Sequence, residues 1–381
     1  MNLTEYKYEE NLRHQQYALT EQGDNHVKYL LNTWYMAGWG SELVQGELLT
    51  RKLLDQQIVM FRDSDNLAHA LQDRCPHRFA PLSCGRLLAE KGVVQCGYHG
   101  LQFDGSGKCV TNPHGDGKIP AAAQVRSYPL VERFSVMWIW MGEPERADPS
   151  TIPDFACMDP QNWYVGKGYL RPRANYLLEV ENILDLSHIE FLHPGLLGSE
   201  SVRRARTEVR QDGNHVWSLR LMENEVLPDA ACEQFGVPLG MRVDRWLDVR
   251  WDAPSNLLLL GGATPTGCPR SEAVGVSFTN PHLFTPETKD TSHYWFSMCL
   301  PKSNGPQAAD VADRIVETFA STFDREDTPM LERQQESIGE QDFWSLKPVL
   351  LPGDAAGVRV RRTLDGLIRS EQAMSEVKEK V

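Results

Sequence analysis

Two short loops constrain this chain more than any other feature. Cys75-Pro76-His77-Arg78 and Cys96-Gly97-Tyr98-His99 each set one cysteine close to one histidine, and each carries a proline or glycine that keeps the backbone turning. Neither loop can enclose a metal centre alone, so the four donors act together only if the fold brings the loops side by side. The surrounding residues indicate how. Gln57-Ile58-Val59-Met60-Phe61, Gly92-Val93-Val94-Gln95, Leu101-Gln102-Phe103 and Val136-Met137-Trp138-Ile139-Trp140 are short β-like runs separated by turn residues. Asp104-Gly105-Ser106-Gly107 is a turn signal, and Gly142-Glu143-Pro144-Glu145 closes the region with a proline-containing linker. The expectation is a small all-β domain over residues 31–145, preceded by a polar arm over residues 1–30.

Two chemistries use these ligand types. A structural Cys2His2 zinc site pairs like with like, cysteine with cysteine and histidine with histidine. A Rieske 2Fe–2S cluster takes two thiolates on one iron and two imidazoles on the other. Each loop here mixes the two ligand types, which suits the cluster, so Cys75, His77, Cys96 and His99 are its candidate ligands. Eight cysteines scattered through 381 residues do not read as a disulfide framework. Cys84 and Cys109 read as small core residues near the site. A respiratory-complex Rieske subunit would need a membrane anchor and a second cysteine pair bridging its loops, and neither is seen.

A second constellation lies in Asn182-Ile183-Leu184-Asp185-Leu186-Ser187-His188. Asn182, Asp185 and His188 recur at steps of three, one face of a helix. His193 follows five residues later, about 140° around a regular helix, so the two histidines can share a metal only if the helix is distorted or ends. Pro194-Gly195 is the expected break. Two histidines and a carboxylate form the facial triad of non-haem Fe(II), with positions open for O2 and substrate. The carboxylate is not chosen by spacing, because Asp324, Glu326 and Asp327 crowd one segment and each could equally serve as a helix-terminal acid.

Beyond residue 145 the chain reads as α+β. Leu177 to His193 is helical, Val202 to about Leu300 is rich in strands that suit an antiparallel sheet, Ala308 to Glu340 is helical, and Leu364 to Lys380 is a terminal helix. This gives a second domain over residues 146–381.

Both constellations resemble the Rieske non-haem iron oxygenases. The match runs through Cys75-Pro76-His77-Arg78, through Cys96 to Gly107, and through Asn182, Asp185, His188, Ile189, Glu190, Phe191, Leu192, His193 and Pro194, and it covers roughly residues 30 to 340. A departure is the separation of His77 from Cys96 by eighteen residues, toward the long end for such proteins. The resemblance implies an all-β Rieske domain joined to a catalytic domain of helix-grip type. It implies one 2Fe–2S cluster and one mononuclear Fe(II) per subunit, the latter on His188, His193 and Asp327, with Asp324 the next choice for the carboxylate. It also implies a homotrimer in which Asp185 bridges His99 of one subunit to His188 of the next, with Asn182 near the iron. Electrons would come from NAD(P)H through a separate flavin/iron–sulfur reductase, directly or through a ferredoxin. Length and the form Leu184-Asp185-Leu186-Ser187-His188 point to the vanillate O-demethylase and dicamba monooxygenase type. That type implies mono-oxygenation of a methyl or methoxy carbon on a small aromatic acid, with ring hydroxylation or dihydroxylation next. An electron-transfer protein without its own catalysis is the alternative from another class, and the row ending in His188 and His193 argues against it.

Composition narrows the partners. A formal net charge of −13 disfavours nucleic acid, whose phosphates need lysine and arginine. The N-terminus lacks the pattern of a signal peptide and no run approaches a membrane span, so the expected location is cytoplasmic, with no membrane partner. His282, Arg250 and Asn256 are candidates to hold a substrate carboxylate or phenol, with core or sheet-surface roles equally open to them. Trp246, Trp251 and Trp295 read as packing residues.

Overall fold

The computed structural model describes residues 29–193, 200–229, 231–232 and 236–379. Most of the expected arm, and the Pro194-Gly195 break, lie outside these residues.

The N-terminal region is built from three small antiparallel sheets. Strand Trp34–Trp39 pairs with Val136–Trp140, which pairs with Leu130–Arg133. Leu49–Leu53, Gln56–Arg62, Ala68–Gln72 and Ser127–Tyr128 form a second sheet, and Arg86–Leu88, Val93–Gln95, Gln102–Phe103 and Cys109–Thr111 a third. Strand Gln56–Arg62 shows why the order holds. Its side chains alternate across the sheet: Val59 and Phe61 pack with Cys75, Cys96, Leu101 and Phe103, while Ile58 and Met60 join the large core shared with the rest of the molecule. One strand therefore separates the loop-bearing core from the body, which explains why it is apolar on both faces.

The C-terminal region is a seven-stranded antiparallel sheet in the order Trp163–Leu170, Thr291–Pro301, Val274–Thr288, Asn256–Pro265, Arg242–Asp252, His215–Val226, Arg206–Asp212. Helices Tyr176–Leu184, Gln307–Thr322 and Ala355–Glu379 contribute Val180, Ile183, Ala312, Val316, Phe319 and Val360 to the core over this sheet. Gly166 lets helix Gln307–Thr322 approach: a Cβ there would lie 2.7 Å from the carbonyl oxygen of Ala312. The two regions meet through buried Trp34, Trp138, Trp140 and Trp295, and through backbone hydrogen bonds from Leu54 to Pro286 and from Asp55 to Glu287. Trp251 and Trp295 are fully buried, in keeping with packing roles. Among the described residues no helix is long and apolar enough to cross a membrane.

The structure differs from the sequence reading at three places. The stretch from Leu177 to His193 is not one helix: it ends at Leu184, Asp185 leaves the helical region at φ −113° and ψ 91°, and a 3₁₀ turn Leu186–His188 leads into a single turn Ile189–Leu192. The cause is local, since the Asp185 carboxylate accepts a hydrogen bond from the Ser187 N–H and offers the backbone an alternative to the helix. The terminal helix starts at Ala355 rather than Leu364, led in by the turn Pro352–Asp354. Cys84 is exposed rather than a core residue.

Candidate metal centres

The first centre sits at the tip of the loop-bearing sheet. Cys75 and Cys96 are 2% exposed and their thiols face each other, whereas His99 stands at the surface beside exposed Tyr98. The His77 and His99 rings lie 4.5 Å apart, centroid to centroid, at 69°. The donor set is thus split into two buried sulfurs and two outward imidazoles, which fits the two-thiolate, two-imidazole ligation that a Rieske 2Fe–2S cluster would need. Burial pushes the Cys75 thiol up, while the backbone N–H groups of His77 and Arg78 pull the other way by donating to its sulfur. Desolvation first, then the charges of His77, His114 and Arg78, holds the His99 ring below its usual range, in the neutral form a metal needs. The second loop packs against the turn Leu82–Cys84 because Gly97 has no side chain: a Cβ there would lie 2.6 Å from the Cys84 carbonyl oxygen. His114, not singled out from sequence, donates from Nε2 to the His99 carbonyl oxygen at 2.8 Å.

The second centre lies between helix Tyr176–Leu184 and the end of helix Gln307–Thr322. His188, His193 and Asp327 offer ligand atoms that all lie within 4.8 Å of one another. The hydrogen bonds say what belongs between them. His188 Nδ1 donates to the Asp185 carbonyl oxygen at 2.8 Å, and His193 Nδ1 donates to Glu326 Oε2 at 2.5 Å. In the neutral rings each Nε2 then carries a lone pair, and these face Asp327 Oδ1 at 3.5 Å and Oδ2 at 3.1 Å. Asp327 Oδ2 is buried with no aligned donor. Three acceptors converging on one point require a cation, and this donor set fits a mononuclear iron. Asn182 Nδ2 donates to Asp327 Oδ1 at 3.1 Å and orients it.

The charges agree. Burial pushes the Asp327 carboxyl up, but hydrogen bonding and charge from His188 and His193 outweigh it and hold it down at about 2. Burial alone would depress His193, yet Asp327 and Glu326 raise it. Asp327 reaches the site because helix Gln307–Thr322 runs into a π-helical turn, Phe323–Asp327, before helix Thr328–Ile338. The wider turn brings Asp327 inward, buried, and leaves Asp324 exposed. Glu326 belongs to the site as the partner of His193 rather than beside the two ring Nε2 atoms.

Asp185 is placed differently from the expectation that its carboxylate would contact both rings. His188 is held by the peptide carbonyl of Asp185, while the carboxylate accepts from Ser187 and from Arg220 Nη2 at 2.7 Å. Arg220 is 5% exposed and was not legible as a site residue.

A cavity opens beside the triad and is walled by Leu247, Leu259, Val276 and Phe278 among other apolar side chains. His282 lines it; Arg250 and Asn256 do not, Arg250 being bound to Asp252 and the Asp154 carbonyl instead. Burial drives the His282 ring down to about 3, so it is neutral, and both nitrogens are engaged, Nδ1 by the Tyr294 hydroxyl at 2.6 Å and Nε2 by Asn280 Oδ1 at 3.0 Å.

Comparison with known proteins agrees with both centres. Residues 33–129 match the Rieske [2Fe-2S] domain, and residues 173–370 match the vanillate O-demethylase oxygenase C-terminal domain. The chain is 36% identical over 91% of its length to the whole of the oxygenase component of dicamba O-demethylase from Stenotrophomonas maltophilia. It is 34% identical over 90% of its length, and 97% of the relative, to the oxygenase component of chloroacetanilide N-alkylformylase from Rhizorhabdus wittichii. The crystal structure of dicamba monooxygenase bound to 3,6-dichlorosalicylic acid superposes with a TM-score of 0.81 at 34% identity, covering 91% of this chain and 99% of that one.

Proposed function

The chain belongs to the Rieske non-haem iron oxygenases, as the oxygenase component of a multicomponent system carrying a 2Fe–2S cluster and a mononuclear iron, and from that membership we propose that it mono-oxygenates a methyl or methoxy carbon of a small aromatic acid. A methoxy carbon so hydroxylated would leave as formaldehyde. The observation that carries the reading is the His188, His193 and Asp327 triad opening onto a largely apolar cavity, the lining an aromatic ring calls for. An electron carrier has no use for such a cavity.

In this reading Cys75, His77, Cys96 and His99 hold the cluster, and His188, His193 and Asp327 hold the iron. Bound there, the iron supplies O2 activation with electrons delivered through the cluster. The chain's own residues do the rest. Glu326, Asn182 and the Asp185 carbonyl hold the three ligands in place, and the apolar walls keep water from the reacting carbon. Residues 31–145 serve electron entry and residues 146–381 the oxygen chemistry.

The same proposal includes a homotrimer, with NAD(P)H electrons arriving through a flavin/iron–sulfur reductase, directly or through a ferredoxin, in the cytoplasm. Support for the trimer is the exposure of both ends of the electron path. His99 and Tyr98 stand out at one tip, and a surface groove at Asp185 and His188 carries exposed Met330 and Val349. Asp185 would pass electrons from the neighbouring His99 to His188.

The test is a screen of methoxylated and carboxylated aromatics with a reductase and NADH, reading formaldehyde and the hydroxylated product. Reductase-dependent formaldehyde release from a methoxylated acid is the expected result. Release from none of them, with ring diols formed instead, would overturn the methyl-directed reading.

A further inference from the structure

The cavity wall holds a charged pair that the oxygen chemistry does not use. Arg245, 6% exposed, lines the cavity, and its Nε and Nη2 donate to Glu225 Oε2 and Oε1 at 2.9 and 3.0 Å. The pair is built by a fault in the sheet. Strands His215–Val226 and Arg242–Asp252 pair Met222 with Arg245 and then Glu225 with Val243, so three residues on one strand span two on the other. Without the extra residue Asn224 would face Val243 and Glu225 would point to the opposite side of the sheet. The bulge, with Asn224 at φ 54°, turns Glu225 onto the face of Arg245, where the two are diagonal neighbours. A bulge that places a buried carboxylate against a cavity arginine fixes that arginine in one orientation.

The other polar groups on the wall are committed. Both nitrogens of His282 are engaged, and the Asn280 amide gives Nδ2 to the Ser297 carbonyl and Oδ1 to His282. Thr322 Oγ1 donates to the Thr318 carbonyl, and Asn182 Nδ2 to Asp327. Among the described residues no acceptor takes Nη1 of Arg245. It is a cationic donor on the wall of an otherwise apolar space. A guanidinium whose Nε–Nη2 edge is occupied can still give charge-assisted hydrogen bonds from Nη1.

We infer that Arg245, oriented by Glu225, is the specificity-determining residue that receives the acidic group of the substrate, a carboxylate or a sulfonate. Glu225 positions it and lowers the net charge of the wall, so neutral rings are admitted but bind less well. This rests on the reading that the cavity takes an aromatic substrate.

The test measures equilibrium binding to the intact, metal-loaded enzyme under anaerobic conditions, by calorimetry and without turnover. The probes are 4-methoxybenzoate, 4-methoxybenzenesulfonate and 4-methoxybenzamide. The unmodified protein should bind the two anions about ten- to a hundred-fold more tightly than the amide, the range expected of a charge-assisted hydrogen bond. Arg245→Gln alone would leave the buried Glu225 carboxylate without this cation and destabilise the fold. The double variant Arg245→Gln/Glu225→Gln removes both charges together and keeps an amide pair in their place. It should hold the amide with about unchanged affinity and lose the preference for the anions. A preference that survives in the double variant, or an unmodified protein that binds the amide as well as the anions, would overturn the inference. If none of the three binds the unmodified protein, the aromatic-substrate reading falls with it.

Discussion

Asp185 has a structural role in the fold and a proposed role in electron coupling, and comparing its asparagine and alanine variants separates the two. Its carboxylate caps the 3₁₀ turn Leu186–His188 through Ser187 and pairs with Arg220, which burial holds below its usual range and Asp185 pulls back up. Alanine removes the cap, worth about 1 kcal/mol, and strands a buried guanidinium, which costs about 3–5 kcal/mol. The sum, about 4–6 kcal/mol, is a large share of a typical folding free energy, so an alanine variant that fails to turn over says nothing about electron transfer. Asparagine keeps one oxygen for the Ser187 N–H and for Arg220, and loses the charge and the second oxygen that accepts from Ser187 Oγ, a loss of about 1–2 kcal/mol by comparison with other charged hydrogen bonds. Two measurements follow on each variant: the denaturant midpoint of unfolding, and the single-turnover rate of cluster oxidation with both metals loaded and the assembly intact. The asparagine variant should be close to the unmodified protein in stability and slower by orders of magnitude in cluster oxidation. An oxidation rate near that of the unmodified protein would refute the electron-coupling role. Equal destabilisation by asparagine and alanine would refute the energetic reasoning.

The remaining predictions concern the ligands and their supports. His99→Cys should abolish the native Rieske electron paramagnetic signal, and an unchanged signal would remove His99 from the ligand set. Asp327→Ala should lower the iron content by one atom per chain, measured by metal analysis, with the cluster spectrum intact; full iron and activity would point to Asp324. Glu326→Ala should weaken Co(II) binding at the triad about ten-fold, the low end for such partners because its side chain is 42% exposed, and unaltered affinity in a metal titration would show that Glu326 does not hold His193. His282 titrates at about 3 folded against 6.5 unfolded, so the unfolded chain takes up more protons and stability falls as pH drops from 6.5 toward 3, by about 1.4 kcal/mol per unit. Between pH 7 and 5 the unmodified protein should therefore lose about 2 kcal/mol more than His282→Gln in urea unfolding; parallel losses would mean His282 is protonated in the fold.

The amino-acid sequence by itself determined what is encoded over a few residues. Ligand type and spacing in Cys75–His77 and Cys96–His99 are local, and so is the row of Asn182, Asp185 and His188, so both metal centres and the β-then-α+β order were legible. Even there the geometry was not: the row looks like one helix face, but the Asp185 side chain competes for the backbone and breaks the helix. That Asp327 rather than Asp324 faces the two histidines was expected only from the resemblance, because neighbouring carboxylates differ by which way a π-helical turn points them. The pairs that joined distant parts of the chain were out of reach. Glu326 meets His193 across 133 residues, Arg220 meets Asp185 across 35, and Glu225 reaches Arg245 only because one bulge shifts the register of two strands. Register and helix docking are set by the packing of whole surfaces, so the polar groups that tune the site could be found only once the sheet and its helices were assembled.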